Sequence, residues 1–250
     1  MSATNKAVEH ADYSIYIVHG ISGYEDREKW LRKLLHDKNN LEYELITESA
    51  NAQQNEAWIS QYFIENIRES LGKGALFCTL VHILCYETFL KSKSKYAIIF
   101  ENDLCLFSNF KSKLEKIFHE ADLLEPGFAI SLENSTLRFP SIWKTQKGKY
   151  LYEADSGRCA GAYIIDRAAA ENILQDLKQN KCNKVIDFWH NDLIVNNVIR
   201  MYWAHPPLTE QGSSNGKFKS SSSFNKGGNI RYIKWVAQKF YKMYILRLLS

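Results

Sequence analysis

Apolar and polar positions follow two different rhythms along this 250-residue chain. Short runs rich in β-branched and aromatic residues read as strands: Tyr13–Val18, Leu41–Thr47, Tyr96–Phe100, Phe128–Leu132, Tyr150–Glu153, Gly161–Ile165 and Met201–Ala204. Between them, apolar residues recur at helical spacing over Arg27–Leu35, Trp58–Leu71, Phe107–Leu124, Asp166–Leu177 and Asp187–Ile199, with Asp166 placed as an N-cap. Gly72 and Gly74 interrupt the chain ahead of Leu76–Leu90, which is apolar nearly all round, as a helix buried under a sheet is. The strand, helix, strand order over residues 13–47 predicts a βαβ unit with a right-handed crossover. The fold class is therefore α/β, a single domain with a mostly parallel central sheet flanked by helices.

The run Tyr96–Phe100 ends abruptly in Glu101-Asn102-Asp103. A strand with no polar face is buried on both sides, and the carboxyl ends of such strands form the ligand crevice of open α/β sheets. Glu101 and Asp103 are hard oxygen donors in that place. They suit Mg²⁺ or Mn²⁺, which in turn would hold the phosphates of a substrate.

Composition narrows the function further. The five cysteines are odd in number and lack CxxC pairing, which indicates neither a disulfide framework nor a structural zinc site; Cys78, Cys85 and Cys105 read as small buried hydrophobes. The polar start, residues 1–12, has no apolar run of signal-peptide length, so a cytoplasmic location is expected. The net charge of +4 hides an asymmetry: residues 211–250 carry eight Lys and Arg with no acid, and removing those eight from 32 basic residues leaves 24 against 28 acidic ones. An acidic body with a basic tail is not the footprint of a nucleic-acid binder. Within the tail, residues 212–229 read as a Gly/Ser-rich linker. Residues 230–250 read as a basic amphipathic helix, with Ile230, Ile233, Ala237, Phe240, Tyr244 and Leu248 near one face. Such a helix suits an anionic membrane surface.

Taken together, Tyr16–Arg27, Cys78–His82, Ile98–Asp103, Gly157–Ile165, Asp187 and Pro206–Gln211 resemble, in order and spacing, the motifs of glycosyltransferase family 25. That group includes bacterial lipooligosaccharide galactosyltransferases and the collagen galactosyltransferases. Its helix motif Gly-Cys-x-x-Ser-His is Phe77-Cys78 and Val81-His82 here, and the middle acid of its Glu-Asp-Asp triplet is Asn102. The resemblance implies a GT-A-like sheet and inverting transfer of a hexose, galactose first, from a UDP-sugar. The implied acceptor is a lipid-linked lipopolysaccharide, lipooligosaccharide or capsule glycan, reached by a peripheral enzyme on the cytoplasmic face of the inner membrane, with Mn²⁺ or Mg²⁺ as cofactor.

The resemblance and the topology also distribute roles. Glu101 and Asp103 take the metal, with His205, before the diproline, as a further ligand. Asp187 is the first choice for the base that activates the acceptor hydroxyl, and Asp155 the second. His19, Gly20 and Arg27 on the first strand-to-helix loop, Thr47 and Glu48 past the second strand, His82 and Asn102 face the donor. Gly161, Ala162, Tyr163 and Gln211 line the donor-sugar or acceptor pocket, and Trp189 and Trp203 are candidates to stack on sugar rings. Two other readings remain open: a nucleotidyl- or phosphotransferase on the same carboxylate pair, and a non-catalytic membrane-bound glycan-binding relative.

Overall fold

The computed structural model describes residues 12–215, 217, 218 and 229–249. A seven-stranded sheet is built from β1 (Tyr13–Val18), β2 (Glu44–Ile46), β3 (Tyr96–Glu101), β5 (Phe128–Ser131), β6 (Leu151–Ala154), β7 (Ala162–Asp166) and β8 (Arg200–Ala204) in the order β2-β1-β3-β7-β5-β8-β6. β1 runs parallel to β2 and β3, and β5 to β8, while β7 lies antiparallel between β3 and β5 and β6 lies antiparallel to β8. Only β7 and β6 therefore oppose the common direction. A second sheet pairs β4 (Leu104–Leu106) with β9 (Thr209–Gln211), two strands too short to announce themselves in the sequence.

The unbroken apolar runs follow from cores on both faces. Along β3, Ala97 and Ile99 join one core while Tyr96, Ile98 and Phe100 join the other. The first core is covered by α2 (Ala52–Tyr62), α3 (Ile67–Ser70), α4 (Lys73–Lys91), α6 (Arg167–Asp176) and α7 (Ile186–Val195), and the second by α1 (Glu25–Leu31) and α5 (Phe110–Ala121). By length and composition alone α4 could cross a membrane, yet it is mostly buried and serves as the central core helix.

Boundaries move where tertiary contacts override local pattern. The helix expected over Trp58–Leu71 breaks at Phe63, which turns extended and forms a β-bridge with Cys182; Cys182 N–H donates to Tyr62 O at 2.8 Å. Gly74 does not interrupt: α4 begins at Lys73 with Gly72 as its N-cap. The expected strand over Leu41–Thr47 is confined to Glu44–Ile46.

Asp166 ties this frame together. Its carboxylate caps α6 by accepting from Ala169 N–H at 2.8 Å, and also accepts from Gly127 and Phe128 N–H at 2.8 and 3.1 Å ahead of β5. Replacing it orphans three buried donors. Asp166→Ala is expected to lower the unfolding free energy by about 2–4 kcal/mol, read from the denaturant midpoint at unchanged slope.

Candidate active site

Because β1, β2, β3, β5 and β8 share a direction, their carboxyl ends lie along one edge of the sheet, joined there by the amino end of β7. The order β2-β1-β3 places the point where the chain reverses its winding between β1 and β3. His19 follows β1 at that point and Asn102 follows β3, with their side chains 3.3 Å apart. Arg27 donates to Asn102 Oδ1 and stacks on Tyr24, 5.2 Å from its ring centroid. Gly20 is required here, since a Cβ would stand 2.3 Å from the Tyr24 ring. Thr47 and Glu48 continue from β2 beside His19, whose N–H bonds Ile46 O at 3.0 Å.

Next along the edge comes Glu101. Its Oε2 accepts from Gln211 Nε2 at 3.0 Å, and its Oε1 lies 3.7 Å from both Cys78 Sγ and His82 Nε2. Gly161 makes room for that Gln211 side chain: a Cβ there would fall 2.3 Å from Gln211 Nε2. Cys78, read from sequence as a buried hydrophobe, thus belongs to the site. Asp103 is buried, its Oδ2 accepting from Ser213 N–H at 2.9 Å and its Oδ1 having no partner.

Asp187 sits in the first turn of α7. That turn is fixed to α4 by Ile186 N–H donating to Thr79 Oγ1 at 3.0 Å, and Asp187 Oδ1 accepts from Ala160 N–H at 2.7 Å. Burial and the nearby Glu101 raise its carboxyl above the ordinary range, against the pull of the Ala160 bond. Burial and Asp103 push Glu101 up to about 7. Behind both lies Glu133, fully buried, accepting from Gly161 N–H at 3.1 Å and Ser135 Oγ at 2.5 Å, its carboxyl held well above the usual range by burial. The balancing cation is Arg158, also fully buried, which donates to Ser131 O at 2.7 Å and Ala204 O at 3.0 Å and stacks against Trp203. Sequence reasoning missed both residues. Glu133 carried the same signal as Glu101, an acid directly after an apolar strand run.

His82 is sealed in the interior and held neutral, its value lowered by burial to about 3. Its Nδ1 bonds the Tyr163 hydroxyl at 2.9 Å, that hydroxyl lies 2.7 Å from Tyr86 Oη, and Tyr86 Oη lies 2.8 Å from His190 Nε2. Tyr163 is therefore an internal support of the site, and Ala162 beside it is a buried strand residue paired with Phe100.

Three expected residues stand apart. His205 follows β8, which β7 and β5 separate from β3, a span of three strand spacings or about 14 Å. The His205 ring lies near Phe139 and Tyr152, and burial with Arg247 and Arg158 lowers its value to about 4. Asp155 is exposed beyond β6, which pairs at Ala154 with Met201 near the start of β8. Trp189 is buried in the core, closed to any sugar. The expected linker also begins otherwise. Gly212 N–H donates to Asp103 O at 2.7 Å, Phe218 N–H returns to Gly212 O at 3.0 Å, and the Lys217 ammonium lies 3.1 Å from the Trp30 ring centroid. Residues 216 and 219–228 of that expected linker, and residues 1–11 of the polar start, lie outside the described residues.

The family model for glycosyltransferase family 25, described as an LPS biosynthesis protein, matches residues 14–189. The chain belongs to glycosyltransferase family 25. A Haemophilus influenzae relative named "Putative glycosyltransferase" is 26% identical over 123 residues, 48% of this chain and 42% of that protein, so the match spans less than half of the relative's length. Among solved structures, galactosyltransferase LgtC in complex with donor and acceptor sugar analogs is 8% identical at TM-score 0.44, covering 90% of this chain and 95% of that one. Protein A197 from STIV is 13% identical at TM-score 0.42, over 76% and 80% of the two chains. Mouse xyloside xylosyltransferase 1 is 11% identical at TM-score 0.38, over 75% and 83%.

The raised Glu101 carboxyl of this family 25 member sets a pH dependence. Its ordinary value of 4.5 rises to about 7 on folding, so the folded chain holds the proton longer. The associated stability is present below about pH 4.5 and is lost as pH rises through about 7. In chelator-treated protein, Glu101→Gln is expected to exceed the wild type by about 1–3 kcal/mol near pH 8 and to gain nothing near pH 4, measured by denaturant titration at both.

Proposed function

We propose that this family 25 protein is a glycosyltransferase, inverting and metal-dependent. It moves a hexose, galactose first, from a UDP-sugar to a lipid-linked lipopolysaccharide, lipooligosaccharide or capsule glycan at the cytoplasmic face of the inner membrane. The observation that carries the reading is the buried and unpartnered Asp103 Oδ1 beside Glu101 at the carboxyl end of β3. An orphaned carboxylate oxygen next to a second acid fits a hard divalent cation, Mn²⁺ or Mg²⁺, held by Glu101 and Asp103. Such a cation supplies neutralisation of the diphosphate charge as the glycosidic bond breaks.

The residues themselves do the remaining work. Arg27, His19 and Asn102 line the β1–β3 crevice as donors for the nucleotide diphosphate. Asp187, raised in basicity by burial and Glu101, takes the proton from the acceptor hydroxyl, and its bond to Ala160 N–H fixes its direction. Asp103→Ala is expected to abolish release of nucleoside diphosphate in a donor screen with Mn²⁺. Asp187→Asn is expected to lower kcat by about 10²- to 10⁴-fold with donor binding kept. Release of pyrophosphate instead of nucleoside diphosphate would move the assignment to nucleotidyl transfer.

The C-terminal helix supports the membrane part. In α8 (Asn229–Phe240) and the helical turns that continue it to Leu249, the Trp235 indole N–H and the Lys239 ammonium both donate to Glu210, at 3.0 and 2.6 Å. Arg247 donates to Pro140 O at 2.8 Å. Docked in this way, the helix leaves Ile233, Val236, Phe240, Tyr244 and Leu248 exposed, and Trp143, whose indole donates to Leu248 O at 3.3 Å, is 77% exposed beside them. An apolar row next to Lys234 and Lys242 matches an anionic lipid surface in both polarity and charge. The full chain is expected to sediment with vesicles containing anionic lipid but not with neutral ones, and Trp143→Ser with Phe240→Ser is expected to weaken that binding. Unchanged sedimentation, or a dimer that hides these residues, would sink the membrane assignment.

A further inference from the structure

Cys78 and His82 stand one turn apart on α4, and both reach the Glu101 carboxylate at the end of β3. The sulfur and the His82 Nε2 atom each lie 3.7 Å from Glu101 Oε1, and the three ligand atoms fall within 4.8 Å of one another. Neither contact satisfies the imidazole, because 3.7 Å is too long for a hydrogen bond from ring nitrogen to oxygen. His82 Nε2 is buried with no partner at all, while its Nδ1 is fixed by the Tyr163 hydroxyl. An unsatisfied buried nitrogen is costly, and it is aimed at a place where a thiol and a carboxylate also converge.

The spacing is that of a coordination shell slightly opened. Zinc bonds of about 2.3 Å to sulfur, 2.1 Å to nitrogen and 2.0 Å to oxygen, in tetrahedral geometry, set sulfur and oxygen about 3.5 Å apart and nitrogen and oxygen about 3.3 Å apart. The two edges to the carboxylate oxygen close by a few tenths of an ångström, and the sulfur and ring nitrogen, within 4.8 Å of each other, draw together toward about 3.6 Å as the ion binds. The geometry points to a thiolate-containing metal site formed by Cys78, His82 and Glu101, taking zinc or a similarly soft divalent ion, with the fourth position left to water or substrate. The chain carries no CxxC spacing because two ligands come from one helix face at i and i+4 and the third from a strand.

Donor chemistry separates this site from the hard-cation role given to Glu101 and Asp103: sulfur and imidazole select zinc over magnesium and manganese. Binding forms metal–sulfur, metal–nitrogen and metal–oxygen bonds and releases the Cys78 thiol proton to solvent, with the Glu101 proton where that carboxyl is protonated. His82 is oriented through Tyr163, as outer partners orient metal-bound histidines. The two sites share Glu101, so zinc competes with manganese for it, but metal binding stands whether or not the transfer reaction proposed above does.

The test uses the full chain freed of metal by chelation and titrated with Co²⁺. A near-ultraviolet thiolate-to-cobalt band is expected, to be displaced by Zn²⁺, retained in Cys105→Ser and lost in Cys78→Ser. His82→Gln is expected to weaken zinc binding by more than the roughly 10- to 100-fold that loss of an outer-shell partner costs. Should Cys78→Ser not fold, alkylation of the wild type mapped to Cys78 gives the same answer, slowed by Zn²⁺ and untouched by Mg²⁺. Absence of the cobalt band together with unprotected Cys78 overturns the site. Zinc binding in a protein inactive with every nucleotide sugar would instead overturn the transfer reading alone.

Discussion

A carboxylate removed from water beside other carboxylates must gain a proton, a cation or a ring of N–H donors, and the edge of this sheet is organised around that requirement. Glu101, Glu133 and Asp187 come from a strand end, a loop and a helix, yet each raises the charge cost of another. The backbone answers with single bonds: Ala160 N–H to Asp187, Gly161 N–H to Glu133, Ser213 N–H to Asp103. Residues 160 and 161 thus serve two carboxylates from consecutive amides. β7 must run against its neighbours for this to happen, because only its amino end, and not its carboxyl end, then meets the ends of β3 and β5.

Arg158 is the buried cation that feels the charge of Glu133. A fully buried guanidinium is itself penalised, and burial lowers it to about 9 despite the attraction of Glu133. Its donors are spent on the carbonyls of Ser131 and Ala204, so it locks the ends of β5 and β8 together. Structural and electrostatic duties are carried by one side chain.

What could be read from the sequence follows from how local each feature is. The β3 run and its terminal acids were legible because a strand with two cores must be apolar throughout and its first polar residue marks the edge. Asp166 was legible as a cap because a cap acts within three residues. Glu133 ends the run Phe128–Leu132 as Glu101 ends its own, but its meaning depends on Gly161, 28 positions away. Cys78 looked like core since the rotation of α4, not its composition, decides which side faces Glu101. Residues 212–218 looked like linker from their Gly and Ser content, but small residues are what a close backbone approach needs: a Cβ on Gly212 would meet Phe218 at 2.3 Å and Asp103 O at 2.9 Å.

That close approach links the two ends of the molecule's function. On one side Glu210 holds Trp235 and Lys239 of the C-terminal helix, and in the next residue Gln211 turns to the opposite side and holds Glu101. Gly212 and Ser213 then hold the carbonyl and the carboxylate of Asp103. Four consecutive residues therefore connect the helix with the exposed apolar row to both acids at the end of β3. Alternation along β9 makes this unavoidable, since neighbouring strand residues face opposite ways. The contacts that hold α8 and those that hold the acids are thus made by covalent neighbours on one strand and the turn that follows it.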